Sequence, residues 1–148
     1  FSKFHPKGKR GMCRYVMAAD GGLVSGADYF SGQNEDVAVI IHIEGKEGID
    51  ALDDIIAVED IDVIFIGPYD LSQSLGIPGQ VSDPRVVSAI DTIVAKCKAK
   101  KKHVGIYVDD VATAKKYKDM GIKYIGISVD VNIFAKACKT MADQLKEI

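Results

Sequence analysis

Two carboxylates stand where apolar runs stop. Glu44 closes the run Val37-Ala38-Val39-Ile40-Ile41-His42-Ile43-Glu44, just before Gly45. Asp70 follows Asp62-Val63-Ile64-Phe65-Ile66, inside the turn Gly67-Pro68-Tyr69-Asp70-Leu71-Ser72. Continuous Val/Ile runs of this length suit strands of a parallel sheet covered on both faces by helices. In such sheets and barrels, chemistry gathers where strands end and the following loops begin. Glu44 and Asp70 are therefore expected on one rim, where two oxygen ligands can hold a hard divalent cation.

The neighbours of these carboxylates sharpen the reading. Residues two apart on a strand share a face, so Ile40, His42 and Glu44 point one way, and Val39, Ile41 and Ile43 pack the other way against helices. Glu44 also admits a plainer reading, as a strand-end residue in solvent. In the second turn, Gly67 permits a sharp change of direction and Pro68 suits a first helical position. The free backbone N–H groups that follow, from Tyr69 on, suit a carboxylate or phosphate. Asp70 would then stand beside an anion pocket; the alternative is an ordinary N-capping Asp. Arg10, in the basic loop Pro6-Lys7-Gly8-Lys9-Arg10-Gly11, carries a rigid fork of donors able to clamp an oxyanion, or belongs to a solvated loop. The lysines at 96, 98, 100, 101 and 102 read as a helix C-terminus favoured by its dipole, at the surface.

The elements that must position these groups alternate strand and helix from residue 37 onward. The apolar spacing of Ile49, Leu52, Ile55 and Ile56 predicts a helix over 46–58. A short helical turn over 69–75 stops at Gly76. Asp83-Pro84 opens a long helix to about Lys102. A third strand covers 103–108. Asp109 or Asp110 caps a helix ending near Met120, before Gly121. A fourth strand covers 123–128, and a last helix about 131–146. Right-handed crossovers make this array a four-stranded parallel sheet. Before residue 37 the pattern differs, with a basic loop, a helix expected over about 11–19 and a glycine break at Gly21-Gly22. The chain reads as one domain over 1–148, with 1–36 carrying the Arg loop and helix and 37–148 the four βα units. Four such units are half of a (β/α)₈ barrel, which needs about 250 residues.

Composition narrows the class. The 148 residues are 47% apolar, enough for one globular core, and the net charge of −2 gives no electrostatic case for nucleic acid. No apolar run approaches a membrane span, and the polar start lacks the core of a signal peptide. Cys13, Cys97 and Cys138 fit neither a disulfide framework nor a zinc site, so reduced thiols and a cytoplasmic location are expected. The missing initiator Met suggests a portion of a longer gene product.

Taken together, the pieces resemble the class II aldolases of the HpcH/HpaI family. They are Gly8-Lys9-Arg10-Gly11, Ile43-Glu44 with Glu47-Gly48, Ala57-Val58-Glu59-Asp60-Ile61-Asp62, the block from Phe65 to Ser72, Leu75-Gly76 and Gly126-Ile127-Ser128-Val129-Asp130. The block from Phe65 to Ser72 is the most specific. The resemblance implies a (β/α)₈ barrel, of which this chain carries the C-terminal half. The implied activity is cleavage of 4-hydroxy-2-oxo acids to pyruvate and an aldehyde, in a homo-oligomer, by family habit a hexamer. It further implies that Glu44 and Asp70 bind Mg²⁺, Mn²⁺ or Co²⁺ and that His42, Gly67, Pro68, Tyr69 and Asp70 line the pyruvate site. The backbone N–H groups of Tyr69 and Asp70 would take the carboxylate, and Arg10 would oppose the charge on the enolate oxygen.

Three departures from the family pattern are visible. His42 replaces the usual Gln, Tyr107 and Ser128 stand where small or apolar residues are usual, and the general-base His of an early strand has no counterpart. His5 is too near Arg10 to serve. Rival readings are citrate lyase or citrate synthase-like chemistry on the same scaffold, a non-catalytic half-barrel, and an open α/β module that binds small anions without metal.

Overall fold

The computed structural model describes residues 1–147, which divide into two compact units, Phe1–Val39 and the residues from Ile40 onward. In the first unit the expected helix over 11–19 does not form. A short 3₁₀ helix spans Met17–Gly22 instead, with Asp20 and Gly21 at positive φ, and α1 covers Gly26–Asp36. The sequence of α1, with two glycines and few apolar residues, has weak intrinsic helicity. Its support is local and tertiary. Ser25 caps the N-terminus by accepting from Asp28 N, while Lys3 Nζ donates to the Asn34 and Val37 carbonyls at 2.6 and 2.8 Å. Asn34 exchanges hydrogen bonds with the Phe4 backbone, and the Phe4 ring meets Phe30 edge-on. Packing and satisfied carbonyls, rather than propensity, make this helix.

The second unit follows the expected alternation. Strands β1 (Ile40–Ile43), β2 (Val63–Ile66), β3 (His103–Val108) and β4 (Tyr124–Ile127) pair in parallel in that order. The helix expected over 46–58 is two pieces, α2 (Lys46–Asp50) and α3 (Leu52–Ala57), broken at Ala51. Asp53 and Asp54 fall in the first turn of α3, where negative charge favours a new N-terminus. The remaining helices are α4 (Pro68–Ser74), α5 (Pro84–Ala99), α6 (Val111–Asp119) and α7 (Asp130–Lys146). Asp83 caps α5 and Asp110 caps α6 by accepting backbone N–H bonds, while Gly76 and Gly121 take the positive φ that ends a helix.

The core lies on one face of the sheet. Ile43, Ile64, Ile66, Ile106 and Val108 meet Leu52, Ile56, Leu71, Ile90 and Ile93 from the helices. The surface reading of the lysine run needs one correction. Lys102 Nζ donates to the carbonyls of Val58, Glu59 and Ile61, fastening the approach to β2, because a helix C-terminus there overhangs that loop. Among the described residues of α7 none is buried, and no helix is long and apolar enough to cross a membrane.

The opposite face carries one row fixed by register, His42 beside Phe65, Gly105 and Tyr124. The His42 ring stacks on Phe65 at 4.9 Å, and Phe65 meets Tyr124 at 5.7 Å across Gly105. A Cβ at Gly105 would lie 2.6 Å from Phe65 Cδ2, 2.7 Å from Tyr124 Cδ1 and 3.0 Å from the Tyr124 carbonyl oxygen. Gly105→Ala is therefore expected to destabilise by about 1–3 kcal/mol, seen as a lower urea midpoint at unchanged slope. An unshifted midpoint would mean that the two rings move aside freely. Cys97 is fully buried and its thiol is pushed up to about 11 by desolvation. It should resist thiol reagents until the chain unfolds; labelling of the folded protein at Cys97 would contradict that burial.

Candidate functional site

Parallel pairing without offset brings β1 and β2 to an end together. Ile43 pairs with Ile66, so Glu44 and Gly67 leave the sheet side by side. Gly67 N donates to the Ile43 carbonyl at 3.3 Å. A Cβ on Gly67 would fall 2.8 Å from Glu44 Oε2 and 3.0 Å from Glu44 Cβ. With glycine here the second loop passes this close without displacing the Glu44 side chain.

From Gly67 the chain enters α4. Pro68 occupies the first turn, and Asp70 is the acidic residue of that turn. Leu71 is buried, while Ser72 Oγ donates to the Tyr69 carbonyl and accepts from Gly79 N. The six residues from Gly67 to Ser72 thus have separate tasks: a close approach, a helix start, two outward side chains, a core anchor and a loop lock.

The carboxylates themselves are lightly engaged. Glu44 Oε2 is 3.3 Å from His42 Nδ1, and both side chains are about half exposed. Asp70 is exposed, with no side-chain hydrogen bond or ion pair among the described residues. Neither carboxylate faces a lysine or arginine partner. That leaves oxygen donors on neighbouring strand ends, a set suited to a hard cation that keeps water or ligand oxygens in its remaining positions. Among the described residues no three His, Cys, Asp or Glu cluster, so Glu44 and Asp70 would be two ligands of any such ion.

Arg10 belongs to the first unit. Its guanidinium lies over the Phe4 ring at 4.6 Å, and its backbone N–H donates to Lys3 O. The structure brings His42, Glu44 and the Gly67 turn together.

At the same end of the sheet the structure joins Tyr69, Tyr107 and Asp109, a grouping not anticipated from the sequence. Tyr69 Oη donates to Asp109 Oδ2 at 2.7 Å, and Tyr107 Oη lies 3.3 Å from Asp109 Oδ1. The bond to Asp109 raises the Tyr69 pKa, and desolvation first, then the Asp109 charge, raises that of Tyr107, so both phenols stay protonated donors. These residues border a cavity of about 320 Å³ with Val87, Thr113 and Lys116. The signal available beforehand was the doubled Asp109-Asp110: one caps the helix and the other is spare. Ser128 follows β4 at positive φ, its backbone N–H bonded to the Val108 carbonyl.

Comparison with known proteins agrees with this architecture. Residues 2–137 match the family model described as HpcH/HpaI aldolase/citrate lyase. A 5-keto-4-deoxy-D-glucarate aldolase of Citrobacter koseri is 34% identical over 146 residues, covering 99% of this chain and 56% of its own length. A solved HpcH/HpaI aldolase/citrate lyase family protein from Burkholderia cenocepacia superposes with a TM-score of 0.86 at 33% identity, over 98% of this chain and 57% of that one. The citrate synthase SbnG gives 0.78 at 29% identity, over 99% and 56%. The chain thus spans about half the length of the relatives it matches, and its four βα units form an arc of a (β/α)₈ barrel. Sequential parallel strands, the glycine approach to Glu44 and a match across nearly the whole chain lead to one assignment: the chain belongs to the HpcH/HpaI aldolase/citrate lyase family.

Proposed function

We propose that this chain carries the metal-holding part of a class II aldolase that cleaves 4-hydroxy-2-oxo acids to pyruvate and an aldehyde. One observation supports it above the others: Glu44 and Asp70 leave adjacent strand ends unpaired by any cation, with Gly67 drawn against Glu44. In this reading Glu44 and Asp70 hold a divalent ion, Mg²⁺, Mn²⁺ or Co²⁺, which as a Lewis acid draws negative charge from the substrate's keto oxygen.

The chain's own residues bind and orient. His42 is held by its stack on Phe65 and by Glu44, and presents its other ring nitrogen to the substrate. First-turn N–H groups have no intrahelical acceptor, so those of Tyr69 and Asp70 are available to a carboxylate. Gly67 and Pro68 shape that turn without crowding the ligand. The role of Arg10, opposing charge on the enolate oxygen, rests on the family resemblance. A homo-oligomer in the cytoplasm, hexameric by the same resemblance, completes the proposal. The Citrobacter relative makes 5-keto-4-deoxy-D-glucarate the first substrate to assay. The likeness to SbnG favours, as a second reading, carbon–carbon bond formation or cleavage of the citrate type.

Mn²⁺ titration of the full-length protein by EPR, with and without pyruvate, tests the proposal. Wild type should bind Mn²⁺ with a spectrum that pyruvate alters, and Glu44→Ala should lose both signals. Mn²⁺ binding indifferent to Glu44→Ala would overturn the assignment. Gly67→Ala forces the Glu44 carboxylate aside and should weaken Mn²⁺ binding about tenfold, the scale of a disturbed supporting contact. Unchanged affinity would remove Gly67 from the site.

A further inference from the structure

The loop after β3 ends in two adjacent aspartates with different work. Asp110 is the N-cap of α6, accepting from Thr113 N at 2.7 Å. Asp109 contributes nothing to that cap. It turns instead to two phenols, Tyr107 two residues back and Tyr69 forty residues away in the loop after β2.

Tyr69 needs such a partner. Its side chain is 45% exposed, so packing alone does not hold it, and α4 is seven residues long, too short to be rigid by itself. The first turn of α4 is fixed at two other points, by Gly67 against Ile43 and by Leu71 in the core. Ser72 Oγ also holds the Tyr69 carbonyl, at 2.6 Å, but none of these contacts reaches the Tyr69 side chain or the outward side of the turn, where Asp70 sits. The bond from Tyr69 Oη to Asp109 ties that stretch to the end of β3, an inner strand paired on both sides. Tyr107 keeps the Asp109 carboxylate turned toward the cavity side, and the two rings lie 6.3 Å apart.

We propose that Asp109, gripped by Tyr107, is a positioning residue that holds Tyr69 and through it the loop bearing Asp70. This rests on the functional reading above, in which that loop receives the carboxylate of pyruvate. A tether of this kind acts on ligand affinity more than on the fold. Removing it leaves the core intact and lets the loop sample other conformations, so binding must then order it.

The test compares Tyr69→Phe, Asp109→Ala and Asp109→Asn with wild type in the full-length protein, reading Mn²⁺ affinity and pyruvate affinity of the Mn²⁺ form separately. Tyr69→Phe and Asp109→Ala should weaken pyruvate about five- to twentyfold, the scale of one hydrogen bond, with a smaller loss of Mn²⁺ affinity felt through Asp70. Asp109→Asn keeps an oxygen acceptor and should recover most of the loss. Pyruvate binding at the wild-type level in Tyr69→Phe overturns the proposal, whatever happens to the others. If Asp109→Ala loses all Mn²⁺ binding, that variant reports a damaged fold, and Tyr69→Phe, which removes one oxygen atom, decides. Wild type that binds Mn²⁺ but no pyruvate would instead overturn the functional reading, and this inference with it.

Discussion

Parallel strands paired without offset finish at the same height, and that constraint governs everything at the functional end of this molecule. Because Ile43 pairs with Ile66, Glu44 and Gly67 emerge as neighbours, and the loop after β2 must turn within reach of the Glu44 carboxylate. A side chain at position 67 would collide there. The same ladder places His42 beside Phe65, so that the ring next to Glu44 is held by stacking as well as by its contact with the carboxylate. A shift of one residue in this register would send His42 and Glu44 into the helix-covered core and expose Ile43.

The two ends of the sheet are treated differently. At the N-terminal end Lys102 gives its charge to three backbone carbonyls, closing the entry to β2 with a cation. At the C-terminal end the carboxylates Glu44 and Asp70 have no lysine or arginine partner among the described residues, and Asp109 is met by neutral phenols. Lysine at one end serves the fold. Unneutralised carboxylate at the other adds nothing to the fold, and this is why the strand-end acids are read as functional. Exposed carboxylates cost little in water, and two without a lysine or arginine partner in the loops after adjacent strands, Glu44 and Asp70, suit the cationic ligand proposed above.

The chain's regular second unit was legible because its signals are local. Asp83-Pro84, Asp110 and Gly121 are caps and stops whose physics is contained in a few residues, and each acts as expected. The strand β3 agrees with expectation over 103–108, since Val104, Ile106 and Val108 alternate along it onto the buried face. The break at Ala51 was not legible in the apolar spacing, which continues from Ile49 to Ile56 through it; the acidic pair Asp53-Asp54 is what marks the new N-terminus. The first unit was misread for a related reason. The helix α1 is built from a polar, glycine-containing segment, and the carbonyls that Lys3 satisfies lie more than thirty residues from it in sequence.

The sequence by itself determined the family, the order of strands and helices, and the identity of the strand-end residues Glu44, His42 and Asp70, because apolar periodicity, capping residues and the turn from Gly67 to Ser72 are encoded over short spans. Tertiary structure alone decided how close those residues come. The approach of Gly67 to Glu44, the stacking of His42 on Phe65 above Gly105, and the grip of Asp109 on Tyr69 all join side chains from different strands or loops. Each depends on register, on the pleat and on which of two adjacent aspartates turns inward. Those are long-range quantities, fixed when the sheet closes its hydrogen bonds and not before.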